Sequence, residues 1–127
     1  MIKSTLVLGA SLKPIRYSNK AVLRLQSFEH PVKAIGLREG TIGEVDIIPF
    51  KNAIKEPQAF YKKINTVTLY LNPQRQQLYY DFIVEIAPER VIFNPGTENP
   101  ELYTLLKENN IQVEVACTLV LLSTGQY

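Results

Sequence analysis

Apolar runs of strand length recur along this chain with helix-like patterns between them, and that alternation constrains the fold more than any single motif. The first run, Thr5-Leu6-Val7-Leu8-Gly9-Ala10, has no polar alternation, which is the pattern of a central strand buried on both faces. Ser18 then stands where a helix N-cap is expected, and Ala21, Val22, Leu25 and Phe28 recur at helical spacing until Pro31. Residues 32–36 read as a second strand and 37–43 as a loop punctuated by glycine. Residues 45–48 read as a short third strand at the sheet edge, ended by Pro49. The stretch 50–63 is polar, with a short helix expected after Pro57.

The pattern sharpens beyond it. Residues 66–71 form a fourth strand of β-branched and aromatic residues, and Asn72 caps a helix with Pro73 at its first position. Tyr79, Phe82, Ile83 and Ile86 make its buried stripe until Pro88. Residues 90–94 are the fifth strand. Asn99 caps a helix that starts at Pro100, turns Leu102, Leu105 and Leu106 inward, and leaves through Asn109-Asn110. Residues 112–116 are the sixth strand, and 118–123 a last short helix. The whole chain, 1–127, therefore reads as one α/β domain: a doubly wound, mostly parallel sheet of about six strands, with expected order 3-2-1-4-5-6.

Charge narrows the function. The formal net charge is only +2, too little for a general nucleic-acid binder driven by counterion release. The sum hides a gradient, because residues 1–28 hold Lys3, Lys13, Arg16, Lys20 and Arg24 and no acidic residue, so one end of the protein is built to meet anions. A single cysteine, Cys117, forms no internal disulfide, and no Cys/His cluster supplies a structural zinc site. No window approaches the apolar length of a membrane span, and no cleavable signal is evident, so the expectation is a cytoplasmic, soluble protein.

In an open parallel sheet, ligands bind beyond the carboxyl ends of the strands where the strand order reverses, here between the loops after the first and fourth strands. The first loop joins Gly9, which permits a sharp turn, to Ser11 and to a helix N-terminus near Ser18 with unsatisfied N–H groups. Lys13 and Arg16 add charge, so the loop suits a diphosphate. The dinucleotide fingerprint G-x-G-x-x-G is only partly present, with Ser11 and Pro14 at its second and third glycine positions. After the second strand comes Arg38, where NAD sites usually place an acid, which favours a phosphorylated ribose: NADP or coenzyme A.

Gly9-Ala10-Ser11, Pro14, Arg16-Tyr17-Ser18, Ala34-Ile35-Gly36, Thr66-Val67-Thr68-Leu69-Tyr70, Asn72-Pro73, the run Ile92-Phe93-Asn94-Pro95-Gly96-Thr97-Glu98, and Ala116-Cys117-Thr118-Leu119 together resemble the small stand-alone CoA-binding proteins. That family is similar to the nucleotide-binding domain of the succinyl-CoA synthetase α-subunit. The resemblance implies a Rossmann-like fold that binds CoA or an acyl-CoA. Carried over residue by residue, it implies that Gly9, Ala10, Ser11 and Pro14 cradle the diphosphate, with Arg16, Tyr17 and Ser18 at its edge. It places Arg38 near the adenosine phosphate, with Gly40 letting the loop pass close by, and Asn72, Pro73 and Gln76 at the adenine or the pantetheine arm. The synthetase's phosphorylated histidine belongs to a second domain absent from this sequence, and His30 is not its counterpart, so the resemblance implies binding without ligase activity.

The remaining polar residues read more simply. No triad, paired catalytic carboxylates or metal set is evident, so no enzymatic role is expected. Cys117 reads as a small core residue or a functional thiol, His30 as a helix C-terminal dipole partner, and Glu98 as a capping acid or a ligand contact. The expected role is a non-catalytic carrier, sensor or regulatory module. An NADP-binding oxidoreductase or redox sensor, or an interaction protein without ligand, are the alternatives. A homodimer suits all three, through the edge strand at 45–48 or the tyrosine-rich helix face.

Overall fold

The computed structural model describes residues 1–56, 58–61 and 63–127. Seven strands, β1 (Thr5–Ala10), β2 (Val32–Gly36), β3 (Gly40–Ile42), β4 (Val45–Pro49), β5 (Thr66–Leu69), β6 (Arg90–Phe93) and β7 (Gln112–Val115), form one sheet in the order β3-β4-β2-β1-β5-β6-β7. Every neighbouring pair is parallel except β3–β4. Helices lie between the strands, so the fold is the doubly wound, Rossmann-like α/β arrangement.

β1 explains itself from its sequence. Leu6 and Leu8 belong to the apolar cluster on one face of the sheet and Val7 and Ala10 to the cluster on the other, all buried, so neither face of the strand meets water. The expected strand order holds, with one addition. Residues 40–42, expected as loop, form β3, which pairs antiparallel with β4 through a turn at Gly43, whose φ is +60°. Three residues are too few to show a period. β4, expected at the edge, is therefore covered by β3, and the open edges are β3 and β7.

The helices are α1 (Tyr17–Ser27), α2 (Phe50–Ala53), α3 (Gln58–Tyr61), α4 (Pro73–Gln76), α5 (Tyr80–Ile86), α6 (Pro100–Glu108) and α7 (Thr118–Ser123). α3 is the short helix expected after Pro57, which itself lies outside the described residues. α1 corrects the expected cap: Arg16 occupies the N-cap, and Ser18 is buried inside the first turn. Ala21, Val22 and Leu25 are buried as expected, but Phe28 ends the helix and is 44% exposed. The helix expected from Asn72 to Pro88 is interrupted by a 3₁₀ turn, Gln77–Tyr79, between α4 and α5. Its cap is as read, with Asn72 Oδ1 accepting from Arg75 N at 2.9 Å, and Tyr79, Phe82, Ile83 and Ile86 are all buried.

Polar bonds tie the strand ends together at the upper edge of the sheet. Asn94 Nδ2 donates to Thr68 Oγ1 at 2.7 Å and to Leu69 O at 2.8 Å, while its Oδ1 accepts from Thr118 N at 2.8 Å. Gln76, fully buried, donates from Nε2 to Leu71 O and Thr97 O, and its Oε1 accepts from Asn99 Nδ2, each at 2.8 Å. Every polar atom of these amides is satisfied, which is what allows them to be buried. The loops after β5 and β6 are held rigidly as a result.

Candidate functional site

A cleft of about 740 Å³ opens beyond the carboxyl ends of β1, β2 and β5, where the strand order reverses. Two glycines set its floor. Gly9 has φ +92°, and a Cβ there would stand 2.9 Å from Tyr70 O; a Cβ on Gly36 would stand 2.3 Å from Ala10 O. The backbones after β1, β2 and β5 thus approach too closely for any side chain, and the three loops become one wall.

The β1–α1 loop is braced from inside. Lys13 N donates to Ser11 Oγ at 3.2 Å, Arg16 N to Lys13 O at 3.0 Å, and buried Asn19 ties the loop to α1 through Nδ2 to Ser11 O at 2.9 Å. No side chain caps the N-terminus of α1 and no acid stands in its first turn, so its positive dipole end is unanswered by the protein.

The lining is cationic. Lys13, Arg16, Arg38 and Arg75 line the cleft and no carboxylate does so among the described residues; none of the four forms an ion pair with a described residue. Between the charges stand Leu12, Leu37, Leu71 and Leu78, of which Leu37 is 74% and Leu78 66% exposed. Apolar surface left open beside unpaired cations suits a ligand with anionic groups on an apolar or aromatic body. Burial pushes the Tyr79 phenol up, partly offset by Arg75 nearby, and pushes the Tyr70 phenol up as well. The Tyr70 hydroxyl is buried without a hydrogen bond, near the Thr68 and Thr118 hydroxyls that bond each other at 2.8 Å.

The structure divides the residues expected from the sequence into two sets. Gly9, Ala10, Ser11, Lys13, Arg16 and Arg38 are brought together on the cleft, whereas Pro14, Tyr17, Ser18, Gly40, Asn72, Pro73 and Gln76 do not line it. Most of the latter have another place. Tyr17 is 68% exposed with Lys20 Nζ 5.4 Å from its ring, Ser18 is buried in α1, and Gly40 makes room for the Leu12 side chain. Asn72 is a cap, Pro73 starts α4, and Gln76 is spent in the buried amide network. Sequence reasoning missed Leu37, Gln74, Arg75 and Leu78, all on the lining. One signal was present: Gln76 shares the helical spacing of Tyr79, Ile83 and Ile86, which turns Gln74 and Arg75 the other way.

Three further residues settle outside the cleft. Cys117 is half-buried at the N-cap of α7. Glu98 closes its own turn, accepting from Gly96 N at 2.8 Å, while Asn99 caps α6. His30 Nδ1 accepts from Lys3 N at 3.0 Å, so it acts as a neutral acceptor instead of the charged dipole partner expected. Among the described residues no group of three or more His, Cys, Asp or Glu is placed to hold a metal, and no helix is long and apolar enough to cross a membrane.

Comparison with known proteins agrees with this fold. A crystal structure of an uncharacterized protein superposes with a TM-score of 0.89 at 41% identity, over 100% of this chain and 99% of that one. The cell-free ID.343 protein from Thermus thermophilus gives 0.81 at 20% identity, over 99% and 91%. A hypothetical protein from Pyrococcus horikoshii OT3 gives 0.79 at 22% identity, over 94% and 80%. The last two share the fold. No curated protein matches the chain. The model of one family, described as the CoA binding domain, matches residues 3–123, nearly the full length, and the chain belongs to that family.

Proposed function

We propose that this protein binds coenzyme A or an acyl-CoA in the cleft and serves in the cytoplasm as a non-catalytic carrier, sensor or regulatory module. The observation that carries the reading is the set of four cations, without ionic partners among the described residues, that line the cleft beside an uncapped helix N-terminus. CoA offers what these groups lack: a diphosphate and a 3′-phosphate on one flexible body. In this reading the diphosphate lies over the turn at Gly9, Ala10 and Ser11, held by backbone N–H groups, the end of α1, Lys13 and Arg16. Arg38 takes the 3′-phosphate, with Leu37 against the adenine. The pantetheine arm then crosses to the β5 side, along Tyr70, Leu71 and Gln74. A homodimer would use the open edge of β7, where Val115 is 56% exposed, since β3 covers β4.

A thermal-shift series with CoA, 3′-dephospho-CoA, NADPH and ATP tests the proposal, because a ligand that binds only the folded state raises the melting temperature by mass action. CoA is expected to give the largest shift and 3′-dephospho-CoA a clearly smaller one. A shift with NADPH and none with CoA would overturn the reading.

A further inference from the structure

A second hollow, of about 220 Å³, lies among α2, α3 and α5. It is continuous in lining with the cleft: Leu78 borders both, and Tyr79 of the cleft packs its ring 4.3 Å from that of Phe50 in the hollow. Phe50, Tyr61, Phe82 and Ile86 give it an apolar interior, and at its mouth Ile54 and Leu78 are 55% and 66% exposed. Its charge is the reverse of the cleft's. Glu56 and Asp81 line it, and no cation does so among the described residues.

Resting on the CoA reading above, we infer that the acyl end of the ligand turns past Leu78 into this hollow, which takes short uncharged acyl groups and rejects those ending in a carboxylate. With the adenosine phosphate at Arg38 and the diphosphate at the β1–α1 turn, the side left for the arm leads along Gln74 toward Leu78. An apolar acyl group arriving there covers Ile54 and Leu78, surface that otherwise faces water. A terminal carboxylate would leave water beside like charges, and both effects oppose it. The hollow already shows them on a group of its own: burial, with Glu56 nearby, pushes the Tyr61 phenol up to about 12. Its small volume limits the group to a short one.

Calorimetry on the whole chain with CoA, 3-methylbutanoyl-CoA and malonyl-CoA separates the possibilities, because the two acyl groups are close in size and differ in charge. The branched acyl-CoA is expected to bind about tenfold tighter than malonyl-CoA, with CoA between them. Ile54→Trp, at an exposed position, fills the hollow and should reduce 3-methylbutanoyl-CoA to the affinity of CoA while leaving CoA itself within about twofold. Equal affinities for the two acyl-CoAs, with CoA binding intact, would overturn the inference and spare the reading beneath it. The inference fails equally if Ile54→Trp weakens CoA as much as the acyl-CoA. A chain that binds none of the three overturns the CoA reading, and the inference falls with it.

Discussion

The two ends of the sheet treat arginine in opposite ways. At the amino ends of the strands, Arg90 is 6% exposed and engaged through each of its three nitrogens: Nε donates to Thr66 Oγ1 at 2.8 Å, Nη1 to Glu114 Oε1 at 2.8 Å and Nη2 to Tyr127 O at 3.1 Å. Its guanidinium also lies 4.5 Å from the centre of the Tyr127 ring. At the carboxyl ends, Arg16, Arg38 and Arg75 line open space without an ionic partner among the described residues. A charge whose donors are satisfied within the chain holds the fold together, whereas charges gathered on a concave surface without partners are organised for something outside it. Substitutions at the two ends should therefore separate stability from binding.

The largest effect is expected at the satisfied end. Arg90→Met leaves Glu114 without its partner and should cost about 3 kcal/mol in urea unfolding, with CoA affinity nearly unchanged. Next comes Ser11→Asp in the cleft, which sets an anion where the diphosphate is placed; a loss of about 2 kcal/mol in CoA binding, roughly thirtyfold, should appear in calorimetry with no change in the urea midpoint. Arg38→Gln should weaken CoA by about tenfold and leave 3′-dephospho-CoA unaffected, because its contact is to the 3′-phosphate alone. If Arg38→Gln instead lowered both ligands alike, its placement at the 3′-phosphate would be wrong.

The smallest effect belongs to pH and again to the satisfied end. His30 is buried among the chain N-terminus, Lys3 and Arg90, and its pKa is lowered from 6.5, first by burial and then by those cations. The unfolded chain takes up a proton near pH 6.5 that the folded chain resists, so stability should fall as the pH drops below about 6.5 and show no His30 contribution above it. His30→Gln should flatten that slope in urea midpoints measured from pH 8 to pH 5. An unchanged slope would mean that other groups set it.

Much of the architecture was legible because its strands are buried on both faces and its helices carry their own punctuation. β1 could be placed at the centre from Leu6, Val7 and Leu8 alone, and Asn72-Pro73 and Asn99-Pro100 marked two helix starts that the side-chain bonds reproduce. β3 was not legible, since Gly40-Thr41-Ile42 becomes a strand only by pairing with residues 45–47. The cap of α1 was misplaced for a related reason: Ser18 has the chemistry of a cap, but packing buries it inside the first turn.

The cleft was legible where backbone shape and charge coincide, at Gly9, Ser11, Lys13, Arg16 and Arg38, and not where orientation decides. Gln76 has the side chain of a ligand contact, yet the phase of α4 turns it into the core, where its amide joins Leu71, Thr97 and Asn99. Arg75 of the same helix and Leu78 of the 3₁₀ turn that follows it reach the lining, and no local pattern separates them from ordinary exposed helix residues.

A crystal structure of the chain grown with CoA addresses the contrast between the two ends most directly. The account predicts the diphosphate against the Gly9–Ala10–Ser11 backbone at the end of α1, the 3′-phosphate within reach of Arg38, and the Arg90 cluster unaltered. Density for the nucleotide away from these loops, with the cleft closed by the protein's own side chains, would contradict it.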